Sequence, residues 1–240
     1  MSAPAAAPPT ARERVIVALD VPDLRALEAF LDGLEGQPRF YKIGLELFVA
    51  AGAAAVEAVR RRQGRVFLDL KLHDIPETVG RAVAAAAGLG VDLLTVHTAG
   101  GAEMLARAVA ATGPNPRTRI LGVTVLTSLS EADLGADGIA GPIAEVVARR
   151  ARLARQAGLG GLVCSPHEVE RARAEAPGLA LVVPGVRPAG AALGDQKRVA
   201  TPAATVAAGA DYLVVGRPIR DAASPAQAFL DIVAEIETAG

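Results

Sequence analysis

Short runs of β-branched and apolar residues recur along this chain, and each is followed by an alanine-rich segment of helical period. The runs are RVIVALD (14–20), RFYKIGLE (39–46), RVFLDLKL (65–72), VDLLTVHT (91–98), RILGVTVLT (119–127), GLVCS (161–165), LALVVPGV (179–186) and DYLVVGR (211–217). Between them lie segments such as DLRALEAFLDGL, AAAVEAVRRRQG and PIAEVVARRARLARQAG. Strand and helix alternating in this way predict a parallel sheet with helices outside it. The runs are continuously apolar rather than alternating, as expected of strands buried on both faces. Eight such units in 240 residues point to an α/β fold of the closed (β/α)8 barrel type, a TIM barrel, rather than to an open sheet. Glycines at 52, 64, 90 and 158 fall where helices turn back into strands. No linker-like break divides the chain, so one domain is expected over 13–240.

The first dozen residues, MSAPAAAPPTAR, are rich in alanine and proline and lack the basic start and apolar centre of a secretory signal. Residues 1–12 are therefore expected to be a disordered tail, and the cytoplasm is the expected compartment. Although 51% of residues are hydrophobic, much of this is alanine, and no apolar run approaches the ~18 residues of a membrane helix. A formal net charge of -1 gives no reason to expect nucleic acid or an anionic membrane as partner. The single cysteine, Cys164, excludes an internal disulfide and fits a reducing compartment.

The informative residues are charged ones at strand ends, which in a barrel lie on the side where chemistry occurs. Asp20 closes the first run and Lys42 sits inside the second. In FLDLKLHDIPETV, Asp69 and Lys71 share one face of a strand by alternation, and Asp74 follows just beyond it. Thr127 closes the fifth run, Arg187 follows the seventh and Arg217 the eighth. Charges inside apolar strands are costly unless paired. Asp69 and Lys71 alone would be read equally well as a structural ion pair. Charged positions converging from three consecutive strands favour an active site. Gly216 and Arg217, in VVGRPI, stand where the last strand meets a helix, the usual phosphate site of this architecture, and Arg187 and Arg217 can add bidentate hydrogen bonds. Two connections are longer than the others, SLSEADLGADGIAGP and RPAGAALGDQKRVATP, and the second is expected to be a lid or binding loop.

The motifs ALD, YKIGLELF, FLDLKLHDIPETV, VHTAGG, VTVLTS, PGVRP, GDQKR and YLVVGRPI occur in order over nearly the whole chain. Together they resemble the orotidine 5′-phosphate decarboxylase family, whose members make UMP without a cofactor in pyrimidine biosynthesis. The resemblance implies the following roles. Asp20 and Lys42 bind ribose hydroxyls, and Lys42 also joins the charge network. Asp69 sits beside the substrate carboxylate, and Lys71 donates the proton to C6 of the pyrimidine. Asp74 reaches into the neighbouring subunit's site, which makes the active unit a homodimer. Thr127 lies near the pyrimidine or ribose, with Ser128 a further candidate for base contact. Pro184 walls the base pocket. Arg187, Gln196, Gly216 and Arg217 hold the phosphate, with Gln196 on the lid AGAALGDQKR. No metal and no cofactor are implied.

The residue types suit this chemistry. Loss of CO2 from C6 leaves an in-plane carbanion that the ring π system cannot delocalise, so a fixed cation that is also an acid is the available help, and a lysine ammonium is both. The nearest alternative is a Mg2+-dependent decarboxylase or aldolase of the same superfamily, acting on 3-keto-gulonate 6-phosphate or hexulose 6-phosphate. Proteins of that class carry a metal-binding glutamate at the position of Lys42, where a cation would oppose metal binding. A non-catalytic nucleotide-binding barrel is the other alternative, and retention of every charged position argues against it. Blander readings apply to His97 as a hydrogen-bonded strand-end residue, to His73 as a side chain directed away from the cluster, to Cys164 as a small core residue, and to Arg60–Arg62 and the arginines of EVVARRARLARQ as solvated helix faces.

Overall fold

In a computed structural model, which describes residues 9–114, 117–188 and 200–238, every apolar run contains a strand. These are β1 (Val15–Ala18), β2 (Phe40–Ile43), β3 (Arg65–Leu72), β4 (Leu93–His97), β5 (Arg119–Val123), β6 (Gly161–Val163), β7 (Ala180–Pro184) and β8 (Tyr212–Val215). All neighbours pair in parallel, and β8 pairs with β1, so the sheet closes into a barrel in the order β1 to β8. The helices are α1 (Ala11–Arg14), α2 (Leu24–Gly33), α3 (Leu45–Ala51), α4 (Ala53–Arg61), α5 (Pro76–Gly88), α6 (Gly101–Ala110), α7 (Glu131–Ala136), α8 (Ile143–Gln156), α9 (Val169–Glu175), α10 (Pro202–Ala207), α11 (Arg217–Arg220) and α12 (Pro225–Thr238). The fold is a single (β/α)8 barrel, as the strand–helix recurrence predicts. Among the described residues no helix is long and apolar enough to cross a membrane.

Two apolar layers follow from the two faces of the strands. Val15, Val17, Tyr41, Val66, Leu68, Leu94, Leu162 and Leu213 point outward and are buried against the helices. Ile16, Phe40, Phe67, Leu93, Leu121, Val182 and Tyr212 point inward and fill the barrel, with Phe40 and Tyr212 in an edge-to-face contact at 5.8 Å. At the N-terminal end the Arg65 guanidinium lies 4.1 Å from the centre of the Phe40 ring and pairs with Asp92. Following the inward positions toward the C-terminal ends, apolar residues give way to Lys42 on β2, Asp69 on β3 and Thr95 on β4. The barrel is thus sealed below and polar above.

Local details refine the expected boundaries. Thr10 caps α1 by accepting from the Glu13 amide, so regular structure begins inside the segment 1–12 expected as a tail; residues 1–8 lie outside the described residues. Gly90 and Gly158 have φ of 73° and 77°, the left-handed turn expected where a helix gives way to a strand, whereas before Gly64 it is Gln63 that takes this conformation, and Gly52, expected at such a turn, has φ of 55° but joins α3 to α4. The connection after β5 is not wholly irregular. Ser130 and Asp133 form a reciprocal capping box that starts α7. Arg60–Arg62 face solvent as expected, Arg60 and Arg61 exposed and Arg62 half-buried, and they are also partnered: Arg61 and Arg62 pair with Glu28, Arg62 also with Asp32, and Arg60 donates to the Leu89 carbonyl. On α8, Arg150 likewise reaches inward to the Thr124 carbonyl.

Gly161 occupies an inward position of β6, where an added Cβ would lie 2.5 Å from the Ala180 carbonyl oxygen and 2.6 Å from Leu121 Cδ2. Backbone of a neighbouring strand cannot yield as a flexible side chain does. Gly161→Ala is therefore expected to destabilise the fold by about 1–3 kcal/mol in chemical denaturation. Gly88→Ala, on an exposed helix end with open space around it, should be neutral or slightly stabilising.

Candidate active site

At the C-terminal end of the barrel lies a pocket of about 500 Å3. Asp20, Lys42, Asp69, Lys71, Thr127, Pro184, Arg187, Gly216 and Arg217 line it together with apolar residues that include Phe67, Val123 and Val214. One cavity thus brings together nine of the eleven residues expected from the sequence. Asp74 lies outside the lining, and Gln196 and the lid residues 189–198 lie outside the described residues.

Asp20, Lys42, Asp69 and Lys71 form a row of alternating charge across the first three strands. Lys42 Nζ is 3.0 Å from Asp20 Oδ1 and 3.8 Å from Asp69 Oδ2, and Lys71 Nζ is 2.8 Å from the same Asp69 oxygen. Asp69 is buried, while Asp20 stands two residues beyond β1 with its carboxylate partly open to the pocket. The second oxygen of Asp69 accepts from Thr95 Oγ1 at 2.9 Å. Each oxygen of this carboxylate thereby has a donor or a cation, as a charge inside an apolar strand requires.

Simple alternation does not account for the geometry at Lys71. Leu68 pairs with Leu94 and Leu72 with Val96, so four steps along β3 match two along β4, and the ladder bulges between them. Within the bulge Lys71 has φ of 51°, a left-handed conformation that costs a residue with a Cβ roughly 1–2 kcal/mol. Its backbone N–H donates to Thr95 Oγ1 at 2.8 Å. Asp69 and Lys71 line the same pocket, but the bulge rather than simple alternation shapes their approach.

Beyond β3, Asp74 is exposed and accepts from the Ile75 N–H at 2.6 Å. Ile75 is 67% exposed, and Leu45 and Val49, one turn apart on α3 after the neighbouring strand, are 53% and 83% exposed. On the opposite side of the barrel, Arg187 is buried next to Pro184 and Gly185, its N–H donating to the Ala200 carbonyl. Gly216 precedes α11, where a Cβ would come within 3.4 Å of Ala18 Cβ and Asp20 Oδ2. Thr127 sits in the connection four residues beyond β5 rather than closing that strand.

Two residues of this region were not singled out in the sequence. Arg220, one turn after Arg217, lines the pocket, donates to the Asp20 carbonyl at 2.9 Å and grips Asp221 through two hydrogen bonds of 2.6 and 3.1 Å. The i+3 spacing from Arg217 at a helix start was the available signal. The other is Thr95, whose only signal is its inward position on β4. Among the described residues, the pocket side chains carry five cations, Lys42, Lys71, Arg187, Arg217 and Arg220, and two carboxylates, Asp20 and Asp69. Asp221, which pairs with Arg220 and also feels Arg217 and Arg187, adds a carboxylate beside them, and cations still outnumber carboxylates there, a field suited to an anionic ligand.

Three polar groups outside the charge row have structural settings. His73 lies outside the pocket lining, and its ring packs 5.5 Å from that of His97 at the end of β4. Burial, reinforced by His73 and Lys71, holds His97 below the ordinary imidazole range and keeps it neutral near pH 7. Cys164 lines the pocket floor yet is 1% exposed, and burial pushes its thiol up to about 12. Since the thiolate is the nucleophile, the reactive fraction at pH 8 is on the order of 10⁻⁴. Native protein is expected to resist iodoacetamide at pH 8 and to be labelled once guanidinium unfolds it, as read by intact mass.

Comparison with known proteins places the chain in a family. A model of the orotidine 5′-phosphate decarboxylase / HUMPS family matches residues 13–232. The orotidine 5′-phosphate decarboxylase of Anaeromyxobacter sp. (strain K) is 58% identical over 223 residues, covering 92% of this chain and 97% of that protein. That of Thermobifida fusca (strain YX) is 52% identical over 228 residues, covering 94% and 97%. The crystal structure of orotidine 5′-phosphate decarboxylase from Lactobacillus acidophilus superposes with a TM-score of 0.81 at 35% identity, covering 93% of this chain and 99% of that one. With a family model spanning most of its length and relatives above half identity across nearly all of it, the chain belongs to the orotidine 5′-phosphate decarboxylase / HUMPS family.

Proposed function

We propose that this chain decarboxylates orotidine 5′-phosphate to UMP and CO2 in pyrimidine biosynthesis, without metal or cofactor, and that Lys71 supplies the proton to C6. The observation that carries this reading is the row Asp20–Lys42–Asp69–Lys71 at one side of a pocket whose other side holds Arg187 and Arg217. A nucleotide with a phosphate at one end and a carboxylate on its base fits that polarity. The phosphate lies against Arg187, Gly216 and Arg217, and the base against Pro184 and Thr127. The ribose hydroxyls meet Asp20 and Lys42. Gln196 is assigned to the phosphate on the sequence alone.

In the reaction the C6–carboxylate bond breaks, CO2 leaves, and its electron pair stays on C6. The Lys71 ammonium, 2.8 Å from Asp69, stabilises that developing charge and then transfers its proton to C6. The neutral amine recovers a proton from solvent. Asp69 repels the substrate carboxylate in the ground state, and the repulsion disappears as CO2 departs. Binding energy from the phosphate, remote from C6, is available to hold the ring against Lys71.

The same proposal includes a homodimer in the cytoplasm. Asp74 is exposed and flanked by Ile75, and Leu45 and Val49 present an apolar face at the exit of the adjacent strand. This supports a partner surface through which Asp74 enters the neighbouring site. Within the family the alternative is a Mg2+-dependent sugar-phosphate lyase. Lys42 Nζ stands between the Asp20 and Asp69 carboxylates, and a cation already balancing both disfavours a divalent metal there.

The purified protein is expected to consume orotidine 5′-phosphate and form UMP at an undiminished rate in EDTA, followed by loss of orotate absorbance. No turnover would overturn the reading, and turnover of 3-keto-gulonate 6-phosphate abolished by EDTA would establish the alternative. Lys71→Ala and Asp74→Ala should each lose at least ~10²–10⁴-fold in kcat, the scale of a missing acid or its electrostatic partner. Mixed and re-associated, the two inactive proteins should regain activity, because each heterodimer contains one intact composite site. Heterodimers verified by native mass spectrometry that stay inactive would remove Asp74 from the neighbour's site.

A further inference from the structure

We infer that Thr95 is a positioning residue for the decarboxylation, its hydroxyl locking Asp69 and the strained Lys71 backbone into their working arrangement. The inference rests on the reading of Lys71 as the proton donor. Thr95 is fully buried, on the inward face of β4, and does not line the pocket. Its Oγ1 donates to Asp69 Oδ1 at 2.9 Å and accepts from the Lys71 N–H at 2.8 Å. A hydroxyl has one hydrogen to give, so donation to the carboxylate leaves its lone pairs for the amide, and both contacts are made at once.

The need for such a group comes from the bulge. Lys71 adopts φ of 51° without being glycine, and its amide has lost its place in the regular β3–β4 ladder. A conformation of this kind persists only where the surroundings over-determine it. Thr95 satisfies the displaced amide and, through the same oxygen, fixes the rotamer of the carboxylate that Lys71 Nζ contacts at 2.8 Å on its other oxygen. Backbone and side chain of the acid are thereby referenced to one atom on the neighbouring strand. An ammonium aimed at C6 needs that, because a small misplacement of a catalytic group costs rate out of proportion to any loss of binding.

Thr95→Val keeps the β-branched shape and removes the hydroxyl. Expected is a loss of about 10–100-fold in kcat, with KM and UMP affinity within about threefold of the parent, and recovery of most of the rate in Thr95→Ser. Wild-type protein turning over orotidine 5′-phosphate and Lys71→Ala failing to do so are the controls that keep the proton-donor reading separate. If those controls behave and Thr95→Val retains kcat within twofold, the positioning role is overturned. It is equally overturned if kcat and UMP affinity fall together with the melting temperature and serine rescues none of them, the pattern of a residue that only supports the fold.

Discussion

A carboxylate buried at the end of β3 sets the terms for the residues around it. Asp69 is 8% exposed, and an ionised carboxylate can occupy such a place only when its oxygens are fully satisfied. One oxygen faces the Lys71 and Lys42 ammoniums at 2.8 and 3.8 Å, and the other takes the Thr95 hydroxyl. Breaking such a group by removing one partner is far more harmful than the net worth of the pair implies, because the remaining charge is left buried and alone. The lysine inside β2, the hydroxyl inside β4 and the left-handed residue in β3 are thus parts of one solution. The lysine and the left-handed residue would be anomalous in an apolar strand, the threonine would not, and all three meet at Asp69.

The closed barrel makes this solution possible. In a parallel sheet that closes on itself, every strand sends alternate side chains into one shared interior, and all C-terminal ends open at the same rim. Below the rim the inward residues are Ile16, Phe40, Phe67, Leu93 and Leu121, a packed apolar core that fixes the strands. One step higher the same alternation delivers Lys42, Asp69 and Thr95. Polar precision above therefore rests on apolar packing below. Closure also places β7 and β8 so that Arg187 and Arg217 share a pocket with residues of β1 to β3, far away in the chain. The arginine side of the pocket and its charge-alternating side meet only through that juxtaposition. Arg220 strengthens it by tying α11 to the Asp20 carbonyl, a contact spanning 200 positions of sequence.

Much of this was legible before any coordinates. Strand positions could be read because strands covered on both faces must be continuously apolar, and each of the eight runs contains its strand. Asp20, Lys42, Asp69, Lys71, Arg187 and Arg217 were legible because a charge at the end of an apolar run is costly and so conspicuous. Thr95 was not, since threonine is an ordinary strand residue and its hydroxyl becomes informative only when a carboxylate and an amide are seen to meet it. The bulge was equally silent. RVFLDLKL alternates acceptably as a regular strand, and the two extra residues on β3 are a property of its pairing with β4. Arg60–Arg62 do lie on a solvent-facing stretch, as basic residues on a helix suggest, but their pairing with Glu28 and Asp32 on the neighbouring helix could not be read from the chain.

By itself the sequence determined the architecture and the chemical vocabulary: eight buried strands, the charges at their ends, and the family to which those motifs belong. Periodicity and the cost of unpaired charge act locally, so they leave local traces. Only the tertiary structure decided which oxygen of Asp69 meets which lysine, that Lys71 sits in a bulge with left-handed backbone, that Thr95 bridges the two, and that Arg220 holds the exit of β1. Those are distances between residues brought together by barrel closure, and hydrogen bonds and ion pairs depend on tenths of an ångström that no spacing along a chain encodes.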